Sequence, residues 1–202
     1  MNKPAKSFHR EDLRGELLEA ACQYVAEHGH EGLSVRKLAQ IVGVSPGAPY
    51  HHFPDRRSLL LAVAMVGYDE LMGAEVGADD ESLSPETRLF RLGRFFLHFA
   101  ARNPRLFALM YESELTRPQL DPQIAKAQSI GFTLLRNAVL AFNIPIVQEE
   151  LGVRIAAIWS TIYGFTLLRD RGMIQSDHEI DDPRSEWVAD AIVKQAIRLI
   201  HG

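Results

Sequence analysis

Apolar residues recur along this chain at intervals of three and four, the spacing of one helix face. No segment alternates with the period of two that a half-buried strand requires. Leu13, Leu17, Ala20, Ala21, Tyr24 and Val25 form a first stripe, ending near Gly29. A second helix opens at Ser34, whose hydroxyl suits an N-cap, and Leu33 and Leu38 occupy the two positions of a hydrophobic staple. Val35, Leu38, Ala39 and Val42 then point inward, and Gly43 stops the helix. A short third helix starts at Ser45 and a fourth covers 55–72. Proline sets the remaining starts: Ser45-Pro46, Ser84-Pro85, Asn103-Pro104, Asp121-Pro122 and Asp182-Pro183 each pair a capping residue with proline, which costs nothing where the N–H has no intrahelical partner. Further helices are expected over 85–102, 104–114, 122–142, 146–171 and 184–200. The predicted fold is all-α with about nine helices: a three-helix head over 1–57, a connecting fourth helix, and a helical domain over 73–202, with the Gly- and acid-rich stretch 73–84 as the loop at the boundary.

Composition narrows the class without naming a function. At 202 residues, 47% hydrophobic and 24% charged, the chain can bury real cores and is not of disordered composition. No run approaches the roughly 20 apolar residues of a membrane span, and Lys3, Lys6 and Arg10 precede no apolar signal region. No membrane association is expected. The single Cys22 excludes an internal disulfide and fits a cytoplasmic protein; beside the first apolar stripe it reads first as a small hydrophobe and only second as a redox sensor. The formal charge of −4 opposes nucleic-acid binding at first sight. The acid, however, lies mostly C-terminal: residues 1–57 carry 8 Lys/Arg against 7 Asp/Glu and five of the eight histidines, so the head is slightly positive.

Residues 34–53 carry the strongest functional pattern: two short helices joined by a tight turn, with Ala39 small at the crossing, Gly43 in the turn, Val44 as a core plug and Ser45 as the cap of the second helix. That is a helix-turn-helix, whose second helix enters the DNA major groove. Any helical hairpin with Gly and Ser in its turn offers the competing reading. Arg36 and Lys37 suit either phosphate attraction or a solvated helix face. His28, His30, His51 and His52 do not make a complete, spaced ligand set, so neither a metal nor another cofactor is expected.

The stretch from Leu17-Leu-Glu-Ala-Ala to Leu59-Leu-Leu-Ala-Val resembles the head of the TetR family of transcriptional regulators, through Ala20-Ala21, Glu27-His-Gly29, Leu38-Ala39, Gly43-Val-Ser45, Gly47, Tyr50, Phe53 and Arg56. Ala48 and Pro49 stand where the family usually has threonine and an aliphatic residue, and Arg56 stands where lysine is usual. The resemblance implies that Ser34, Tyr50, His51 and Arg56 hold phosphates while Pro46, Gly47 and Ala48 lie against base edges of double-stranded DNA, at a palindromic operator.

Further on, Ile158-Trp159-Ser-Thr-Ile-Tyr163-Gly164 resembles the Trp-(x)3-His-Gly signature of one class of TetR ligand domains, with Tyr163 in the histidine's place, and Asn103-Pro-Arg-Leu-Phe-Ala-Leu-Met110-Tyr111 fits the same class. Phe95, Phe99, Phe107, Met110, Tyr111, Trp159 and Tyr163 gather aromatic and soft side chains on the central helices, with His98 as a polar contact. Singly each reads as core; together they suit a cavity for a small apolar or aromatic effector. Ile155 and Ile162, with Val188, Ile192, Gln195 and Leu199, form the expected homodimer face, the alternative being internal core. The sequence thus points to a cytoplasmic, non-enzymatic repressor released by its effector. An activator or a ligand-independent regulator of the same fold is the nearer alternative. A helical carrier or enzyme is the distant one, because no nucleophile, phosphate loop or metal set is found.

Overall fold

The computed structural model describes residues 13–78, 80, 82–145, 147–174 and 182–201. The expected charges at Lys3, Lys6 and Arg10, and the expected helix start at 146, lie outside them. Among the described residues every regular element is helical: α1 (Leu13–His28), α2 (Val35–Val42), a 3-10 turn (Ala48–His51), α3 (Arg56–Ala78), α4 (Pro85–Arg102), α5 (Pro104–Glu112), α6 (Pro122–Leu140), α7 (Gln148–Asp170) and α8 (Glu186–Arg198). The all-α expectation holds. The proline rule succeeds at Pro85, Pro104 and Pro122, each the first residue of its helix. Ser84 Oγ accepts from Thr87 N–H at 3.2 Å and Asp121 Oδ1 accepts from Gln123 N–H at 3.0 Å, so both cap as predicted.

Three expectations are corrected. Ser45-Pro46 does not open a helix: Pro46 and Gly47 form a turn, and only one 3-10 turn follows. Pro46 costs nothing at a first helical position, but Pro49 lacks the N–H that would make the first i to i−4 bond to Ser45 O, so the α-helical ladder does not start there. Asp182-Pro183 likewise opens a turn ahead of α8, which begins at Glu186. The 73–84 stretch is not all loop, because α3 continues to Ala78.

The chain forms two compact units, and they do not follow the expected boundary: one is residues 1–67 with 105–124, the other 68–104 with 125–202. The segment after α5 therefore belongs with the head. Arginine explains it: Arg57 donates to Glu114 O at 2.7 Å and to Asp121 Oδ2 at 3.0 Å, and Arg105 donates to Ala26 O at 2.8 Å. Gly67 assists, since a Cβ there would stand 2.6 Å from Met110 Sδ and 3.1 Å from Leu106.

In the second unit α7 packs on both α4 and α8, which also pack on each other. Gly93 on α4 permits the close approach: a Cβ would meet Val193 Cγ1 at 2.8 Å and Ile162 Cδ1 at 3.2 Å. By length and composition α7 is apolar enough to cross a membrane, contrary to the expectation that no segment is. Its inward face explains that composition: Leu151, Ile155, Ile158, Ile162 and Phe165 are buried, along with Arg169, whose Nε donates to Asp170 Oδ1 at 3.1 Å.

Candidate nucleic-acid interface

Local chemistry builds the helix-turn-helix from its caps. Ser34 has extended backbone angles and its Oγ accepts from Lys37 N–H at 3.1 Å, closing the start of α2. Leu33 and Leu38 are both fully buried, as the staple requires. Gly43 ends α2 at φ 79°, where its N–H and that of Val44 both reach Ala39 O, at 3.0 and 3.1 Å. That left-handed conformation is the reason for glycine here, since no atom lies within 4 Å of where its Cβ would be. Beyond the turn, Pro49 O accepts from both His52 N–H (3.0 Å) and Phe53 N–H (2.9 Å), and Phe53 anchors the far side in the core. Asp55 Oδ1 then accepts from Ser58 N–H at 2.7 Å, starting α3.

This frame leaves a ring of exposed residues: Arg36, Lys37 and Gln40 on α2, Ser45, Pro46 and Gly47 before the 3-10 turn, and Tyr50 and His51 on it. Ser34 and Ala48 are half-buried and Pro49 is buried. Between Ser45 and Tyr50 no exposed side chain can donate or accept a hydrogen bond, so base edges would meet small apolar surface there.

Arg56 departs from the resemblance. Its guanidinium is directed into the protein rather than left free as a phosphate anchor: Nε donates to Leu33 O at 2.8 Å and Nη2 to His30 O at 2.7 Å and Glu31 O at 3.3 Å. Nη1 pairs with Glu114. Four protein acceptors thus surround the guanidinium in the free protein, a job that an arginine fork suits better than the lysine usual there. Sequence reading missed this constellation of Arg56, Arg57, Glu114 and Asp121 because partners 57 to 64 positions away leave no local signal.

Beside it sits His30, buried, its imidazole pKa pushed below the usual value, first by burial and further by Arg56, with Glu31 opposing. A lowered folded-state pKa means the unfolded chain binds the proton first, so this stability is present above about pH 6.5 and is lost as pH falls through the folded value. Melting from pH 8 to 5 should show His30→Gln losing less stability than the unaltered chain; parallel curves would refute the burial argument. His28 meets the Tyr24 ring in a tilted arrangement, with centroids 4.8 Å apart. Burial, then Glu19, raises the Cys22 thiol pKa, which disfavours the reactive thiolate a redox sensor needs.

The expected effector residues are described unit by unit. Phe107, Met110 and Tyr111 belong to the head's unit, where Phe107 and Met110 are buried and Phe107 stacks on Tyr111 at 4.6 Å. In the other unit Trp159 stacks on Tyr163 at 5.5 Å and meets Phe96 edge-on at 4.9 Å, while Phe99 is buried, Phe95 exposed, and His98 turned toward Glu186. The expected dimer face also divides. Ile155, Ile162 and Val188 are buried within the subunit itself and are corrected to core; Ile192 is half-buried, and Gln195 and Leu199 are exposed.

Comparison with known proteins bears on this geometry. Residues 17–63 match the family model for bacterial regulatory proteins of the TetR family, and residues 89–192 match the model for the tetracyclin repressor-like C-terminal domain. The HTH-type transcriptional repressor AcnR of Corynebacterium diphtheriae is 48% identical over 67 residues, 33% of this chain and only about a third (34%) of that protein's length. The HTH-type transcriptional activator FasR of Mycolicibacterium smegmatis is 27% identical over 127 residues, 62% of this chain and 58% of that protein. A solved structure of a protein of unknown function from Rhodococcus sp. RHA1 superposes with a TM-score of 0.77 at 27% identity, covering 98% of both chains. With head and C-terminal domain both matched, and the second match alone spanning half its length, the chain belongs to the TetR family of bacterial regulatory proteins.

Proposed function

We propose that this regulator, DNA-binding by its family, is a cytoplasmic repressor that acts as a homodimer on an inverted-repeat operator and leaves it when a small apolar or aromatic effector binds. The observation that carries the DNA reading is the exposed ring of Arg36, Lys37, Ser45, Pro46, Gly47, Tyr50 and His51, set by the Ser34 cap and the Gly43 turn and matched by the family model. Tyr50, His51, Arg36 and Lys37 suit phosphates, and Pro46, Gly47 and Ala48 suit base edges and thymine methyl groups. The likeness to AcnR favours repression; the likeness to FasR keeps activation as the second reading. For the effector, Phe96, Trp159 and Tyr163 are the aromatic group that the structure brings together, and Trp159 remains 37% exposed.

For the dimer, the outer face of α7 supports the reading. Gly152, Ala156, Ser160 and Gly164 follow one another at intervals of four, all exposed or half-buried, flanked by exposed Val153 and Leu168. Genomic fragments captured by the protein, once sequenced, should contain an inverted repeat with half-sites centred about 34–36 Å apart or a multiple of that. A reporter behind such a fragment should fall when the protein is expressed; a rise would establish activation, and fragments without a shared repeat would refute the operator model.

A further inference from the structure

Arg56 divides its guanidinium between two kinds of partner. Nε and Nη2 are committed to the carbonyls of Leu33, His30 and Glu31, the residues that lead into the N-cap of α2. Nη1 faces the carboxylate of Glu114 instead. The pair is accessible: the Arg56 side chain is 31% exposed and that of Glu114 43%. Losing Glu114 would therefore free one cationic edge without unpinning the arginine from the head.

Glu114 does not stand there by chance of a surface rotamer. Arg57, the next residue on α3, donates to the Glu114 backbone carbonyl at 2.7 Å and pairs with Asp121 at 3.0 Å, and Asp121 caps α6. The segment 114–121 is thus clipped at both ends to the first turn of α3, immediately after the DNA-facing turn. A helix N-terminus such as that of α2 favours an anion, and a guanidinium edge beside it accepts carboxylate or phosphate with the same geometry.

We propose that Glu114 is an internal competitor for DNA at Arg56: in the free protein its carboxylate occupies Nη1, and on DNA a backbone phosphate takes its place. The position of the segment 114–121 then sets DNA affinity. A conformation that draws this segment away releases the cationic edge, and one that presses it home withholds it. The inference rests on the reading that the head binds DNA, and it restores a phosphate role for Arg56 that the free structure masks.

The test uses the full chain and a short duplex of mixed sequence, titrated over a range of salt. Glu114→Gln keeps the shape and removes the charge. It should bind about two- to fivefold more tightly, the range of an exposed ion pair, and its salt dependence should steepen by about 0.9, the share of one added phosphate contact. In an Arg56→Gln background the same change should bring no gain. Unchanged affinity and slope for Glu114→Gln would overturn the proposal, and so would an equal gain in the Arg56→Gln background, which would reflect net charge alone. Should Arg56→Gln fail to fold, Glu112→Gln supplies the charge-matched control: a gain confined to Glu114 supports the competitor, and equal gains overturn it. Failure of the unaltered chain to bind any duplex would instead refute the proposed function.

Discussion

Ile162→Asp is expected to unfold the C-terminal unit rather than to split a dimer. Ile162 is 5% exposed, and its Cδ1 lies 3.2 Å from the point where a Cβ on Gly93 would stand, with Val193 Cγ1 2.8 Å from that same point. The side chain therefore fills the seam of α4, α7 and α8 inside one subunit. Aspartate would replace those aliphatic contacts with a charge taken out of water, at a cost of at least about 4 kcal/mol. Whole-domain stabilities are only about 5–15 kcal/mol, so most or all of the margin goes. Circular dichroism should show lost helicity or a large fall in Tm, and much of the protein should be insoluble. A soluble, fully helical monomer melting like the unaltered subunit would sink this assignment and return Ile162 to the interface.

That prediction shows where sequence reading stopped. Periodicity identified Ile155, Ile162 and Val188 as apolar positions, but a stripe on a helix does not say whether its partner is a neighbouring helix or a second subunit. The answer came from Gly93, a residue on α4 that periodicity ignores, because it opens the seam into which Ile162 and Val193 pack. Local signals fared better. Ser34, Gly43, Ser84 and Asp121 were legible because capping and left-handed turns are decided within four residues. Ser45-Pro46 obeyed the same grammar but was overruled by Pro49 three residues later, which left a single 3-10 turn. Arg56 was legible as a positive charge just after the helix-turn-helix. Its commitment to Leu33, His30, Glu31 and Glu114 was not, since those partners are brought together only by folding. Phe107 and Trp159 are alike in sequence terms, yet they belong to different units, an assignment that no local pattern carries.

The remaining large effect concerns the outer face of α7. Gly152 and Gly164 lie within a long helix, where glycine costs about 1 kcal/mol relative to alanine. Neither has any atom within 4 Å of its Cβ position, so packing inside the subunit does not require them to lack a side chain. A second α7 approaching closely would, and Ala156 and Ser160 between them keep the same row small. In the homodimer proposed above, this row would meet its own copy, with Ile192, Gln195 and Leu199 on α8 as further proposed contacts, so that each substitution appears twice. Gly164→Glu should therefore leave the subunit helical, since the new side chain has room and glutamate suits a helix, while placing two carboxylates against each other across the symmetry axis. Sedimentation should report a monomer for this variant and a dimer for the unaltered chain. Operator affinity should fall at least about a hundredfold, because two linked heads bind with an avidity that a single head lacks. Binding of one head to a half-site at low salt should survive, since the exposed ring around Tyr50 is untouched. A dimer that persists in the Gly164→Glu variant would show that subunits meet elsewhere.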